Sequence, residues 1–222
     1  MAAVEQGRVI FDNLRKFVKF SLCGNIGKIM VVMIGALLGM PGPLLPLQLL
    51  WLNLLADGLL GVGLGVEPAE RGVMQRAPIS AGASVFANGV GGQIMRMGLL
   101  IGAVSLGMGA YHYFTVHEDW RTMMFTTLAL AQVWRALGTR TGTDSLFARG
   151  LLGNTPLLLL AMLVVVAQLL AVYTPDLNDV LKTNPLELAD LLLCVGASAL
   201  VFGCAKLEKI VLRRNASHVK IR

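Results

Sequence analysis

Two asparagines, a lysine and an aspartate stand inside two strongly apolar stretches, Asn25 and Lys28 in the first and Asn53 and Asp57 in the second. A charge near the centre of a bilayer helix costs roughly 2.5–3.5 kcal/mol on insertion scales, so such residues face a bundle interior, pair with one another and mark ion or substrate paths. Asn25 and Lys28 are spaced to share one helix face, and so are Asn53 and Asp57. Between the stretches lies Met40-Pro41-Gly42-Pro43, where proline cannot continue a helix and glycine relaxes the backbone. Counting away from that turn at about 1.5 Å per residue brings Lys28 and Asp57 to similar depth, so the four groups can converge across a tight antiparallel hairpin. Carboxylate and amide oxygens there would suit a cation, whereas Lys28 brings positive charge and no lone pair while protonated. Other readings of the same residues stay open. Lys28 could snorkel to the cytoplasmic interface, Asp57 could serve only as a hydrogen-bonded packing group, and Asn25 and Asn53 could make ordinary interhelical amide contacts.

The elements that position these residues follow from composition. Of 222 residues, 55% are hydrophobic and 14% charged, and the mean hydropathy is +0.69; this is an integral, multi-pass membrane protein. A spanning helix needs about 20 apolar residues, and six such segments are expected, near 17–39, 46–65, 97–114, 119–138, 154–173 and 187–207. The expected fold class is therefore all-α, a polytopic bundle of six transmembrane helices with both termini cytoplasmic. In that orientation nearly every Lys and Arg lies inside, Lys28, Arg121 and Lys182 excepted, which satisfies the positive-inside rule and makes nucleic acid an unneeded explanation of the net charge of +6. Residues 1–65 form a stalk and cation-site hairpin, 66–96 a cytoplasmic loop, 97–208 a four-helix scaffold and 209–222 a basic tail suited to anionic headgroups.

Met1 to Lys19 reads as a charged amphipathic lead-in and not as a signal peptide. Ile10, Leu14, Phe17 and Val18 recur near helical spacing, which predicts a stalk running into the first span, with a helix lying along the membrane as the alternative. The glycine-dense run Gly58 to Gly65 predicts either locally unwound backbone whose carbonyls face a cavity or close helix packing, as at Gly35 and Gly39 or Gly61 and Gly65. Cys23, Cys194 and Cys204 have neither zinc nor disulfide spacing. His112, His117, Glu118 and Asp119 lack a closed ligand set and read as a polar outer loop. Trp120, Tyr111, Tyr113 and Tyr173 fit an aromatic belt at the outer interface.

The segments Gly7-Arg8-Val9-Ile10-Phe11-Asp12-Asn13-Leu14-Arg15-Lys16-Phe17, Gly24-Asn25-Ile26-Gly27-Lys28 and Pro46-Leu47-Gln48-Leu49-Leu50-Trp51-Leu52-Asn53-Leu54-Leu55-Ala56-Asp57-Gly58 carry a resemblance that covers essentially the whole chain. They resemble the fifth and sixth membrane helices of cation-transporting P-type ATPases of the calcium-pump type. The likeness continues through Leu64-Gly65-Val66-Glu67-Pro68 and Met74-Gln75-Arg76-Ala77-Pro78, and more weakly through Thr126 to Gln132 and Ser145-Leu146-Phe147. It implies the last six of the family's ten membrane helices. No Asp-Lys-Thr-Gly-Thr phosphorylation motif or Thr-Gly-Glu actuator loop occurs in these 222 residues, so no ATP hydrolysis is expected of this chain alone. No cofactor is expected on it either, because ATP and magnesium would bind the missing domains.

By that resemblance Asn25, Asn53 and Asp57 stand where similar pumps place cation ligands, and Gln132 lies where some relatives carry a carboxylate. Lys28 replaces a glutamate of calcium pumps, Ala56 a threonine and Leu60 a proline. Calcium takes six to eight oxygen ligands, and a lysine removes one, so a proton, a monovalent cation or a degenerate site is expected. The expected partners are the lipid bilayer, that cation or proton, and a second chain supplying the other pump domains, in a plasma or inner membrane. The alternative is a stand-alone scaffold or regulatory protein derived from such a pump, without transport activity.

Overall fold

A computed structural model describes residues 2–69, 72–75, 89–115, 119–140 and 153–219. Among them the chain is helical, without a strand. Helix α1 runs unbroken from Ala2 to Leu37, 36 residues or about 54 Å. That exceeds a hydrocarbon core of about 30 Å, so stalk and first span are one rod. The lead-in does not turn aside along the membrane. After α1, Gly39 (φ 79°) and Gly42 (φ 59°) take the left-handed conformation that only glycine adopts cheaply, and the chain reverses. Pro43 then folds back onto Gly35, where a Cβ would meet its ring at 2.6 Å.

The second span has three parts: α2 (Pro46–Trp51), a π-helical turn (Leu52–Gly58) and α3 (Leu59–Gly65). Pro46 opens α2 at a position where its missing N–H is no loss, and the Gln48 side chain accepts from the Leu45 N–H at 3.1 Å. Four further long helices follow the loop: α4 (Val90–Thr115), α5 (Trp120–Arg140), α6 (Thr155–Tyr173) and α8 (Leu188–Val219), with the short α7 (Pro175–Leu181) between the last two. The spans thus fall where hydropathy places them, with two shifts. Helix α4 starts at Val90, inside the expected 66–96 loop, and α8 continues through most of the expected tail, to Val219.

Among the described residues, five helices are long and apolar enough to cross a membrane, counting α2 to α3 as one. The expected fourth span, α5, is the exception, and its surroundings explain why. Its Met123, Met124, Phe125, Thr126, Thr127, Leu128 and Gln132 are all enclosed by neighbouring helices, so it can carry polar residues that a lipid-facing helix could not. Small residues set the crossing of α1 and α4: a Cβ on Gly98 would lie 2.9 Å from the Cys23 carbonyl, and one on Gly102 3.0 Å from the Gly27 carbonyl.

Two of the three charges at odds with the positive-inside pattern have local work. Arg121 donates to the carbonyls of Pro41 (2.6 Å) and Gly42 (3.0 Å), fastening the hairpin turn, and stacks over Trp120 at 4.7 Å. Lys182 ends α7 in the left-handed conformation. Lys28 is buried in the hairpin. With Arg121 and Lys28 so engaged, the remaining bias predicts that substituted cysteines near Arg76 react with a cytoplasmic reagent and those near Asp176 with an external one. Labelling of the Asp176 loop only from the cytoplasmic side reverses the topology. Arg71, Arg76, His117, Glu118 and the Ser145-Leu146-Phe147 segment lie outside the described residues, as do the side chains of the tail beyond Glu208.

Candidate cation site

The site is built on an irregularity in the second span. A π-turn widens the helix by one residue, a form found mostly as single turns at functional sites, and here it covers Leu52 to Gly58. The irregular backbone therefore lies just before the glycine-dense run, and Leu59 to Gly65 is ordinary α-helix. Glycine serves packing at Gly61, where a Cβ would strike the Phe17 ring at 2.5 Å, and at Gly63, against Leu157 at 2.7 Å; Gly65 and Gly39 have nothing within 4 Å.

Across the hairpin, Lys28 Nζ donates to Asn53 Oδ1 and to Asp57 Oδ2, both at 2.6 Å. Lys28 is 4% exposed and Asp57 7%, so the ammonium sits inside the hairpin and not at an interface. Asp57 Oδ1 has no hydrogen-bond partner among the described residues. Asn25 shares the Lys28 face and lines the same groove without joining these bonds. That groove, about 430 Å³, is lined by Asn25, Lys28, Ile29, Val32, Met33, Leu49 and Asn53 and opens to the outside of the bundle. Gln132 stands apart from it. Fully buried, it packs on Gly24, one turn before Lys28 on α1, and neither atom of its amide finds a partner among the described residues.

An ammonium 2.6 Å from two oxygens occupies the space a cation would take between them. Removing two charges from water is costly, and the pair is tolerated because each neutralises the other and Asn53 supplies a further acceptor. Calcium would require six to eight oxygens, whereas the pair and its neighbours offer the Asn25 and Asn53 amides and one carboxylate. No group of three or more His, Cys, Asp or Glu able to hold a metal occurs among the described residues. His112 instead faces Asp190 of α8 at 3.8 Å.

Four sets of polar contacts brace the hairpin that spacing alone did not reveal. Gln48 donates to the Leu181 carbonyl at 3.0 Å. Trp51, which leads into the π-turn, donates to Gln168 at 3.2 Å, and Gln168 donates to Thr126 at 3.2 Å. At the far end of α3, the Asn154 amide donates to Glu67 and to the Gly63 carbonyl, while its oxygen caps α6 by accepting from Leu157 N–H at 2.9 Å. Asn13 of the stalk donates to the carbonyls of Gly65 (3.1 Å) and Glu67 (2.8 Å). Only Asn154 had a legible signal, an Asn before Thr-Pro that marks a helix start.

Residues 41–211 match the family described as cation transporting ATPase, C-terminus. The chain belongs to that family. It is similar to a calcium-transporting ATPase of Bacillus subtilis, at 34% identity over 90% of this chain. A calcium-transporting ATPase type 2C member 2 of Mus musculus is 31% identical over 95% of it, and a calcium-transporting ATPase 1 of Yarrowia lipolytica 29% over 98%. Each match takes in only 23% or 24% of the relative. What this cation-ATPase chain aligns with is thus the C-terminal membrane part of such pumps, and it is a multi-pass membrane protein like them.

Proposed function

We propose that this chain is the C-terminal transport domain of a cation pump, working as one piece of a split or larger assembly whose other piece supplies the phosphorylation and nucleotide domains. The observation that carries this reading is the groove at Asn25, Lys28 and Asn53. Asn25 and Asn53, halfway along two spans, open outward beside the enclosed Lys28, where lipid offers an amide no hydrogen-bond partner. A further protein segment covering the groove removes that cost, and the exposed apolar side chains Ile29, Met33, Leu50 and Leu54 around it give such a segment a surface to pack on.

Within the assembly, Asn53 and Asp57 form part of the cation path, and the Lys28 ammonium acts as a built-in counter-charge. This favours a proton or monovalent cation over calcium, since a single charge displaced from Asp57 is all that must be exchanged. The second reading, a scaffold without transport, draws support from the same ion pair, which leaves no vacant seat beside Asp57 Oδ2.

Co-expression with a chain bearing the phosphorylation motif decides between them. The pair together should form an acid-stable phosphoenzyme whose turnover depends on a cation, and Asp57→Asn should abolish that dependence. Phosphoenzyme turnover unaffected by Asp57→Asn overturns the transport reading. The 222-residue chain alone should incorporate no labelled phosphate with any cation; incorporation above a no-protein control overturns the division of labour.

A further inference from the structure

The ends of α1, α4, α5 and α8 that the charge bias assigns to the cytoplasm carry a second group of charges, independent of the cation site. Arg15, Lys19 and Cys23 recur every four residues along one face of α1. Arg135 of α5, only 3% exposed, directs Nη2 toward Cys23 Sγ at 3.6 Å, and its Nε has no acceptor among the described residues. A thiol is a weak acceptor. Lys19 is partly exposed and lies within electrostatic reach of both Arg15 and Arg135. Glu208, within electrostatic reach of Cys23, is held through Oε1 by Arg96 Nε at 2.8 Å and Nη2 at 2.6 Å, and its Oε2 has no partner among the described residues. Cys23 also contacts the Ile94 carbonyl at 3.5 Å, which fixes α1 and α4 beside one another here.

A buried guanidinium without a bonded anion is costly, and Lys19 and Arg135, neither of them bonded to a carboxylate among the described residues, form an incomplete site. We propose that Lys19 and Arg135, with Arg15 adding to the field, bind one phosphate group, that of an anionic phospholipid of the cytoplasmic leaflet. A guanidinium's planar fork and a lysine's mobile point charge suit phosphate oxygens. The depth suits a headgroup as well, because basic pockets between spanning helices on this side are where anionic lipids bind. Lys19, the partly exposed member, gives the headgroup its way in from the bilayer.

The test uses the full chain purified in neutral detergent and titrated with phosphatidylglycerol, phosphatidylcholine or inorganic phosphate, with bound lipid counted by native mass spectrometry and unfolding temperature followed in parallel. One phosphatidylglycerol should be retained in preference to phosphatidylcholine and should raise the unfolding temperature. Each cation near such a surface contributes about 1 kcal/mol, so Lys19→Gln should weaken phosphatidylglycerol binding about fivefold. Arg135→Gln should weaken it at least as much if that variant folds; the Lys19 result stands without it. Arg214→Gln, in the basic tail, should change nothing. Equal retention of both lipids overturns the proposal, as does an equal loss in the Arg214 variant, which would mark diffuse surface charge. Protection by inorganic phosphate at matched concentration overturns the lipid assignment.

Discussion

Asp57→Asn and Lys28→Met should each destabilise the protein by about 3–5 kcal/mol, while the double substitution should be close to neutral. Either single change leaves one buried group uncompensated, with Lys28 and Asp57 2.6 Å apart and almost wholly enclosed; removing both leaves a neutral hairpin of similar volume. The measurement is thermal or denaturant unfolding in detergent across the full cycle. A coupling of several kcal/mol is far above the few tenths by which independent sites depart from additivity. Simply additive effects would mean that the two groups do not share their charge, and Asp57 would then stand as a free carboxylate.

The second large effect is expected at Asn154. Its oxygen caps α6, worth about 1 kcal/mol, and its amide donates to both the Glu67 carboxylate and the Gly63 carbonyl. A hydrogen bond to a charged acceptor adds about 1.5–3 kcal/mol. Asn154→Ala should therefore cost about 3 kcal/mol in unfolding experiments. Asn154→Asp distinguishes the two contributions, because it keeps the capping oxygen but sets a second carboxylate against Glu67. We expect it to be at least as damaging as the alanine variant. An aspartate variant as stable as the parent at neutral pH would show that the cap alone matters.

How far the sequence could be read depended on whether a feature was local. Five of the spans were legible because apolar length alone sets them, and the reversal after α1 because Gly42 lies between two prolines. The approach of Lys28 to Asp57 followed from counting residues on either side of that turn. The π-turn was not legible. Glycine density left unwound backbone or close packing open after Asp57 and gave no sign that the extra residue is accommodated from Leu52 to Gly58, where Trp51 and Gln48 are anchored to distant helices. Asn25 and Gln132 show the same limit from the other side. Helical spacing put Asn25 on the Lys28 face, where it is, but whether it bonds is decided by the shape of the second span. Gln132 is oriented by the close approach of Gly24, a pairing distant in sequence. The inward polarity of α5 likewise depends on being surrounded, which no window of its own residues reveals.

Helix α1 meets the second span at two polar fastenings, Asn13 on the Gly65 and Glu67 carbonyls and Lys28 on Asn53 and Asp57. Fifteen residues of uninterrupted helix separate them, about 22 Å. A rod pinned to its neighbour at two such points cannot slide along it: a shift of one turn, about 5.4 Å, would break both at once. Nor does α1 contain a proline at which it could bend between them. Motion delivered to the stalk must therefore reach Lys28 as rotation or tilt of the whole hairpin. The hairpin behaves as a lever, and the Lys28 to Asp57 contact is opened by prying and not by shear.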